Sequence, residues 1–201
     1  MPLPLKHLTF HSNYSPMKKL FWLFAIVAVA ASLPACSNDD NDLKKYDSWR
    51  IENEQWISQM LDKTNDDGSS YYQTVVPSWN TSGFVLMHFF NDRAETADNL
   101  VPLYTSAVDV RYIGYNIKSE PFDSSYTQTA YGTPGVSRFT VNQVIQGWSV
   151  ALMNMHVGDS AEVIIPYELA YGSAGHGDIL PFSTLRFNLK LVDISSYEKR
   201  P

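Results

Sequence analysis

The alternation of apolar and polar positions divides this chain into three stretches with different periods. Between Leu20 and Ala31 nearly every residue is apolar, with no period. From Leu43 to Leu61 the apolar positions fall three and four residues apart: Tyr46, Trp49, Trp56, Ile57, Met60 and Leu61, with Asn53 interrupting the stripe. That spacing predicts an amphipathic helix, ended by Asn65-Asp66-Asp67-Gly68-Ser69-Ser70. Gly83 to Phe90 is a dense apolar run of strand length.

From Ala107 the period becomes two. Val108, Val110 and Tyr112 alternate with Asp109 and Arg111; Phe139 and Val141 alternate with Arg138, Thr140 and Asn142. Ala161, Val163 and Ile165 oppose Glu162 and Ile164, and Leu185, Phe187, Leu189 and Leu191 oppose Thr184, Arg186, Asn188 and Lys190. Four such strands predict an antiparallel sheet with one wet face. One short helix lies among them, with Gly147 before it, Trp148, Ala151, Leu152 and Met155 as its stripe, and Gly158-Asp159 closing it. The expected fold class is α+β, a twisted antiparallel sheet wrapped around one short helix, with a helical N-terminal extension.

Composition agrees with one folded domain and narrows its chemistry. Of 201 residues, 44% are hydrophobic and 18% charged, the opposite of a disordered balance. The net charge of −6, with no basic cluster, argues against nucleic-acid binding, which needs Lys and Arg for phosphates. The single cysteine excludes an internal disulfide and a thiolate-cluster metal site. The five histidines, His7, His11, His88, His156 and His176, show no metal-ligand spacing. There is neither a nucleophile elbow nor a phosphate-binding loop, so neither metal nor cofactor is expected.

The apolar run after Met17-Lys18-Lys19 is short for a membrane span, and its basic head and small-residue end describe a secretory signal. Leu33-Pro34-Ala35-Cys36 resembles a bacterial lipobox, which implies a lipid-modified Cys36 and a chain anchored in the cell envelope, at the outer membrane. Residues 1–16 look like sequence upstream of a start at Met17. The organisation expected is therefore 1–35 upstream residues and signal peptide, 36–42 acidic tether, 43–105 extension and 106–195 main domain. The tether, Ser37 to Asp42, is either a plain linker or an analogue of the acidic surface-export signals of Bacteroides-type lipoproteins.

Three stretches combine aromatic residues with a few polar tips. They are Val110–Tyr115 with Pro121-Phe122-Asp123-Ser124-Ser125, then Phe139–Trp148 containing Val144-Ile145-Gln146-Gly147-Trp148, then Ile165–Gly172 containing Pro166-Tyr167-Glu168-Leu169-Ala170-Tyr171-Gly172. In this order and separation they resemble the FKBP-type peptidyl-prolyl cis-trans isomerases, above all the macrophage-infectivity-potentiator branch. The resemblance covers about Ala107–Ser195. It implies isomerase activity on proline-containing or unfolded polypeptides, and a proline pocket between helix and sheet. Carried over, Trp148 is the pocket floor, Ile145 offers a backbone N–H, and the Tyr171 hydroxyl reaches a substrate carbonyl. Tyr112, Phe122, Asp123 and Phe187 complete the catalytic set. Phe139, Val144, His176 and Ile179 are the remaining pocket residues.

The chain departs from the family pattern at Leu180-Pro181-Phe182-Ser183, where relatives carry a Pro-Pro pair, and at Ser149, where an acid is common. Tyr126–Ser137 supplies no partner for the family's pocket-side arginine. Outside the resemblance, a non-catalytic holdase that grips unfolded chains remains an alternative, as does a purely structural lipoprotein. One short amphipathic helix is expected to dock on its own domain, giving a monomer, with pairing of two chains as the other outcome.

Overall fold

The computed structural model describes residues 43–130 and 132–197. The signal segment, Cys36 and the acidic tether lie outside the described residues. A short 3-10 turn, Lys44–Tyr46, leads into helix α1, Asp47–Leu61. Strands β1 (Gln73–Val75) and β2 (Val85–Phe89) follow, then β3 (Ala107–Tyr115), β4 (Pro121–Ser124), β5 (Thr129–Ala130), β6 (Thr133–Pro134) and β7 (Ser137–Thr140). Helix α2 spans Gln146–Leu152, and β8 (Ser160–Ile165) and β9 (Leu185–Ser196) complete the fold.

Seven strands form one antiparallel sheet in the order β1-β2-β8-β9-β3-β4, with β7 also paired to β3, while β5 and β6 form a separate hairpin. The α+β expectation is met. The period-two segments are β3, β7, β8 and β9. Val108, Val110 and Tyr112 of β3, Val163 and Ile165 of β8, and Leu185, Phe187, Leu189 and Leu191 of β9 share one core with Trp148, Ala151 and Leu152 of α2. Gly147 lets the helix seat directly on β8, because a Cβ there would lie 2.3 Å from Ile165 Cγ2.

Helix α2 is shorter than its stripe suggests. The chain leaves it at Leu152 through tight turns, Asn154 N to Ala151 O at 2.9 Å and Met155 N to Leu152 O at 3.2 Å. The Asn154 side chain also takes the Val150 carbonyl at 2.8 Å. Met155 remains fully buried, so its place in the apolar period reflects core packing rather than continued helix.

The sheet's second face is only partly wet. Leu86 of β2 and Ile164 of β8, the residues that point away from α2, are buried beneath Trp56, Ile57 and Met60 of α1 together with Tyr72. Burying each such aliphatic side chain contributes about 1.5–3 kcal/mol. The alternation misses this because a strand covered on both faces loses it. The same covering holds Glu162, which accepts from the Tyr72 hydroxyl and, at 3.1 Å, from Arg186. The 43–105 stretch thus contributes two strands to the sheet and a helix to its outer face.

A second polar cluster closes the far end. Asp159 is fully buried and accepts from Thr96 Oγ1 at 2.5 Å, Asn91 Nδ2 at 3.0 Å and His156 N at 2.8 Å, with Arg93 Nε 3.4 Å away. Burial alone would raise its pKa, but these hydrogen bonds and Arg93 together hold the carboxyl below its ordinary value.

Candidate active site

A cleft of about 440 Å³ opens between α2 and the inner face of the sheet. It is lined by Tyr112, Phe122, Asp123, Phe139, Gln143, Val144, Ile145, Trp148, Tyr171 and Phe187. Each wall has a local cause. Tyr112 and Phe187 point inward because β3 and β9 alternate and lie side by side. Phe139 comes from β7, paired to β3 at Val108. Val144 and Ile145 form the extended step between a 3-10 turn, Val141–Gln143, and α2. Ser149, inside the helix, donates to the Val141 carbonyl at 2.6 Å and so fixes that turn.

The floor is a cluster of edge-to-face rings. Trp148 meets Tyr112 at 4.9 Å, Phe187 at 5.2 Å and Phe139 at 5.6 Å between ring centres, all within a few degrees of perpendicular. Such pairs add about 0.5–1.5 kcal/mol each beyond burial. Trp148 is only 4% exposed, and its indole N–H is buried without an acceptor among the described residues.

Polar tips border the apolar floor. The Tyr112 hydroxyl donates to Asp123 Oδ2 at 2.7 Å, while Asp123 Oδ1 accepts from Ser124 N at 2.8 Å. Burial, reinforced by the bond to Asp123, raises the Tyr112 pKa well above its usual value. Asp123 sits on strand β4. Its position is secured by the buried Ser125, whose hydroxyl donates to Gly135 O at 2.9 Å and accepts from Tyr112 N at 2.9 Å. Tyr171 makes no hydrogen bond through its hydroxyl among the described residues, and burial raises its pKa too. The Ile145 N–H likewise meets no acceptor among them. Besides the buried Trp148 indole, the cleft therefore presents two unengaged donors beside an aromatic wall.

All seven residues of the expected catalytic set, with Phe139 and Val144, border this one cleft. His176 and Ile179 do not line it. Mutual backbone hydrogen bonds of 2.9 Å fold them back on each other. His176 stacks on Tyr171, rings 4.8 Å apart and 13° from parallel, and Ile179 packs on the main core. Gln143 lines the cleft without a signal in the sequence: the apolar motif around it draws attention to Val144 and Ile145, and a lone exposed amide carries none. Among the described residues no group of three or more His, Cys, Asp or Glu is placed to hold a metal ion.

Comparison with known proteins identifies the family. The family model for FKBP-type peptidyl-prolyl cis-trans isomerase matches residues 102–192. An FK506-binding protein of Streptomyces anulatus is 41% identical over 90 residues, covering 43% of this chain and 70% of that one. The chain belongs to the FKBP-type isomerase family. The FKBP-type 22 kDa peptidyl-prolyl cis-trans isomerase of Escherichia coli is 46% identical over 98 residues, 48% of this chain. That match spans only 45% of the relative's length. A peptidyl-prolyl isomerase crystal structure from Pseudomonas syringae superimposes with a TM-score of 0.59 at 26% identity, covering 75% of this chain and 96% of that one. The FKBP-type domain thus coincides with the part of the fold that builds the cleft.

Proposed function

We propose that this protein is a peptidyl-prolyl cis-trans isomerase that assists the folding of exported polypeptides. The observation that carries the proposal is the juxtaposition of a ring-walled cleft with the unengaged Tyr171 hydroxyl and Ile145 N–H. An X-Pro bond turns over a barrier of about 18–20 kcal/mol because planarity carries amide resonance. The reaction needs no nucleophile and no proton. Twisting removes the charge-separated resonance form, so the twisted amide is the less dipolar one. A cleft walled by Trp148, Phe139, Phe187, Phe122, Val144 and Ile145 excludes water and favours it over the planar ground state, which is differential binding.

The two donors take up carbonyls of the bound chain and hold it in a turn. Asp123, already accepting from Tyr112 and Ser124, orients the Tyr112 hydroxyl at the cleft edge. Each tenfold of rate requires only about 1.4 kcal/mol of such preference.

The lipobox-like Leu33–Cys36 segment supports attachment through an acylated Cys36 at the outer membrane, with the domain reaching clients across the acidic tether. A proline-limited refolding assay on the protein tests the activity, with acceleration expected at catalytic amounts. A folded protein that suppresses aggregation only stoichiometrically and accelerates no X-Pro substrate would point to a holdase. Fatty-acid labelling that disappears in Cys36→Ser tests the anchor.

A further inference from the structure

Helix α1 lies outside the matched family region, yet it grips the segment that follows the cleft's rim. Asn53, fully buried, accepts from the Thr184 backbone N–H at 2.8 Å and donates to the Trp49 carbonyl one turn back, also at 2.8 Å. The Trp49 indole donates to Ser183 Oγ at 2.9 Å, and Ser183 in turn donates to Leu180 O at 2.7 Å. Arg50 lays its guanidinium over the Phe182 ring, 5.1 Å from its centre. Three side chains of one helix thus hold residues 180–184.

That segment adjoins the cleft on both sides. Phe182 has a φ of 62°, a conformation unusual for a bulky side chain, and its N–H donates to the Gly172 carbonyl at 2.9 Å, directly after Tyr171. Pro181 and Leu180 press against Gly175, where a Cβ would lie 2.4 Å from Ile179 O and 2.9 Å from Pro181 N. The turn at Gly175 carries His176 onto the face of Tyr171. In the other direction Thr184 immediately precedes β9, three residues before Phe187.

We infer that Asn53 and Trp49 are positioning residues for substrate binding, acting through Ser183, Thr184 and Phe182 to set the Tyr171–His176 rim. The inference rests on the isomerase reading for its kinetic readout, but the coupling itself has a readout of its own. A strained residue such as Phe182 keeps its conformation only while its surroundings impose it. Releasing the helix's grip lets the rim relax, and a rim that orients bound peptide affects binding before it affects the twist.

The test compares Asn53→Ala and Trp49→Phe in the intact protein, the second removing one N–H while keeping an aromatic ring. The expected result is displaced Tyr171 and His176 ring signals in NMR. KM for a proline-containing peptide should rise by roughly three- to tenfold while kcat stays within about twofold. Unmoved ring signals in a folded variant would overturn the inference, as would KM and kcat that change only with the folded fraction. If Asn53→Ala does not fold, Trp49→Phe decides by the same criteria. An inactive wild type whose ring signals still move in the variants would refute the isomerase reading and leave the coupling standing.

Discussion

Gly114 and Phe187 face each other across the β3–β9 pairing, and a Cβ on Gly114 would fall 2.7 Å from the Phe187 ring. The same Cβ would fall 2.7 Å from Phe122 Cζ, so the missing side chain is what allows these two rings to meet edge to face at 5.7 Å. Two walls of the cleft therefore depend on a residue that does not line it. Gly114→Ala is expected to lower kcat/KM by about tenfold or more, since a misplacement near 1 Å costs rate steeply. Stability should fall by about 1–3 kcal/mol, the usual cost of overpacking. Refolding kinetics and thermal melts on the same sample separate the two effects.

The Tyr112–Asp123 hydrogen bond makes an alkaline prediction. Burial holds the Tyr112 hydroxyl neutral in the fold, so its pKa lies above the value of 10.0 it has when unfolded. The native state then keeps a proton that the unfolded chain releases. This contribution is fully present below pH 10 and is lost as pH rises through and beyond it. Tyr112→Phe should cost about 0.5–1.5 kcal/mol at neutral pH and flatten part of the alkaline fall in melting temperature. An unchanged alkaline slope in the variant would show that the other buried tyrosines carry it.

Much of this architecture is legible from spacing alone, and the exceptions share a cause. Strands β3, β8 and β9 alternate because one face packs on α2, so periodicity finds them. Asn53 looks like a fault in the α1 stripe, because its partner is the Thr184 N–H, 131 residues away, and no local pattern encodes that bond. Ile164 reads as a solvent position for the same reason: the α1 surface that buries it is remote in sequence. The motif order gathers the cleft's aromatic wall, whereas the His176–Ile179 turn departs from it because two backbone hydrogen bonds decide where those side chains go.

Asp159 predicts the acid limb. Its folded pKa lies below the ordinary value of 3.8, so the native state binds the proton less readily than the unfolded chain. The stabilisation is present above pH 3.8 and is lost as pH falls through the folded value. Asp159→Asn should remove that acid dependence and destabilise the protein by about 1–3 kcal/mol, because three donors and the partly exposed Arg93 lose their anion. Denaturant melts between about pH 3 and 7 check both the slope and the offset. Activity of the folded fraction should be unaffected, since this cluster lies apart from the cleft.

Tyr171 and Phe122 separate the two contributions to catalysis. The Tyr171 hydroxyl is a neutral donor whose ionisation burial has pushed further up, so it stays protonated across the working range. No step in the proposed mechanism transfers a proton, and the rate should be nearly flat between about pH 6 and 8. Tyr171→Phe removes one hydrogen bond to the bound chain and should slow turnover by roughly two- to tenfold. Phe122→Ala opens the apolar wall, admits water to the planar amide's dipole and should slow it more. Measuring kcat/KM for both variants, with circular dichroism to show that each is folded, decides the order. If Tyr171→Phe proves the more damaging, carbonyl capture outweighs water exclusion. A steep pH dependence centred on an ionising side chain would require a proton-transfer step that the cleft's chemistry does not otherwise call for.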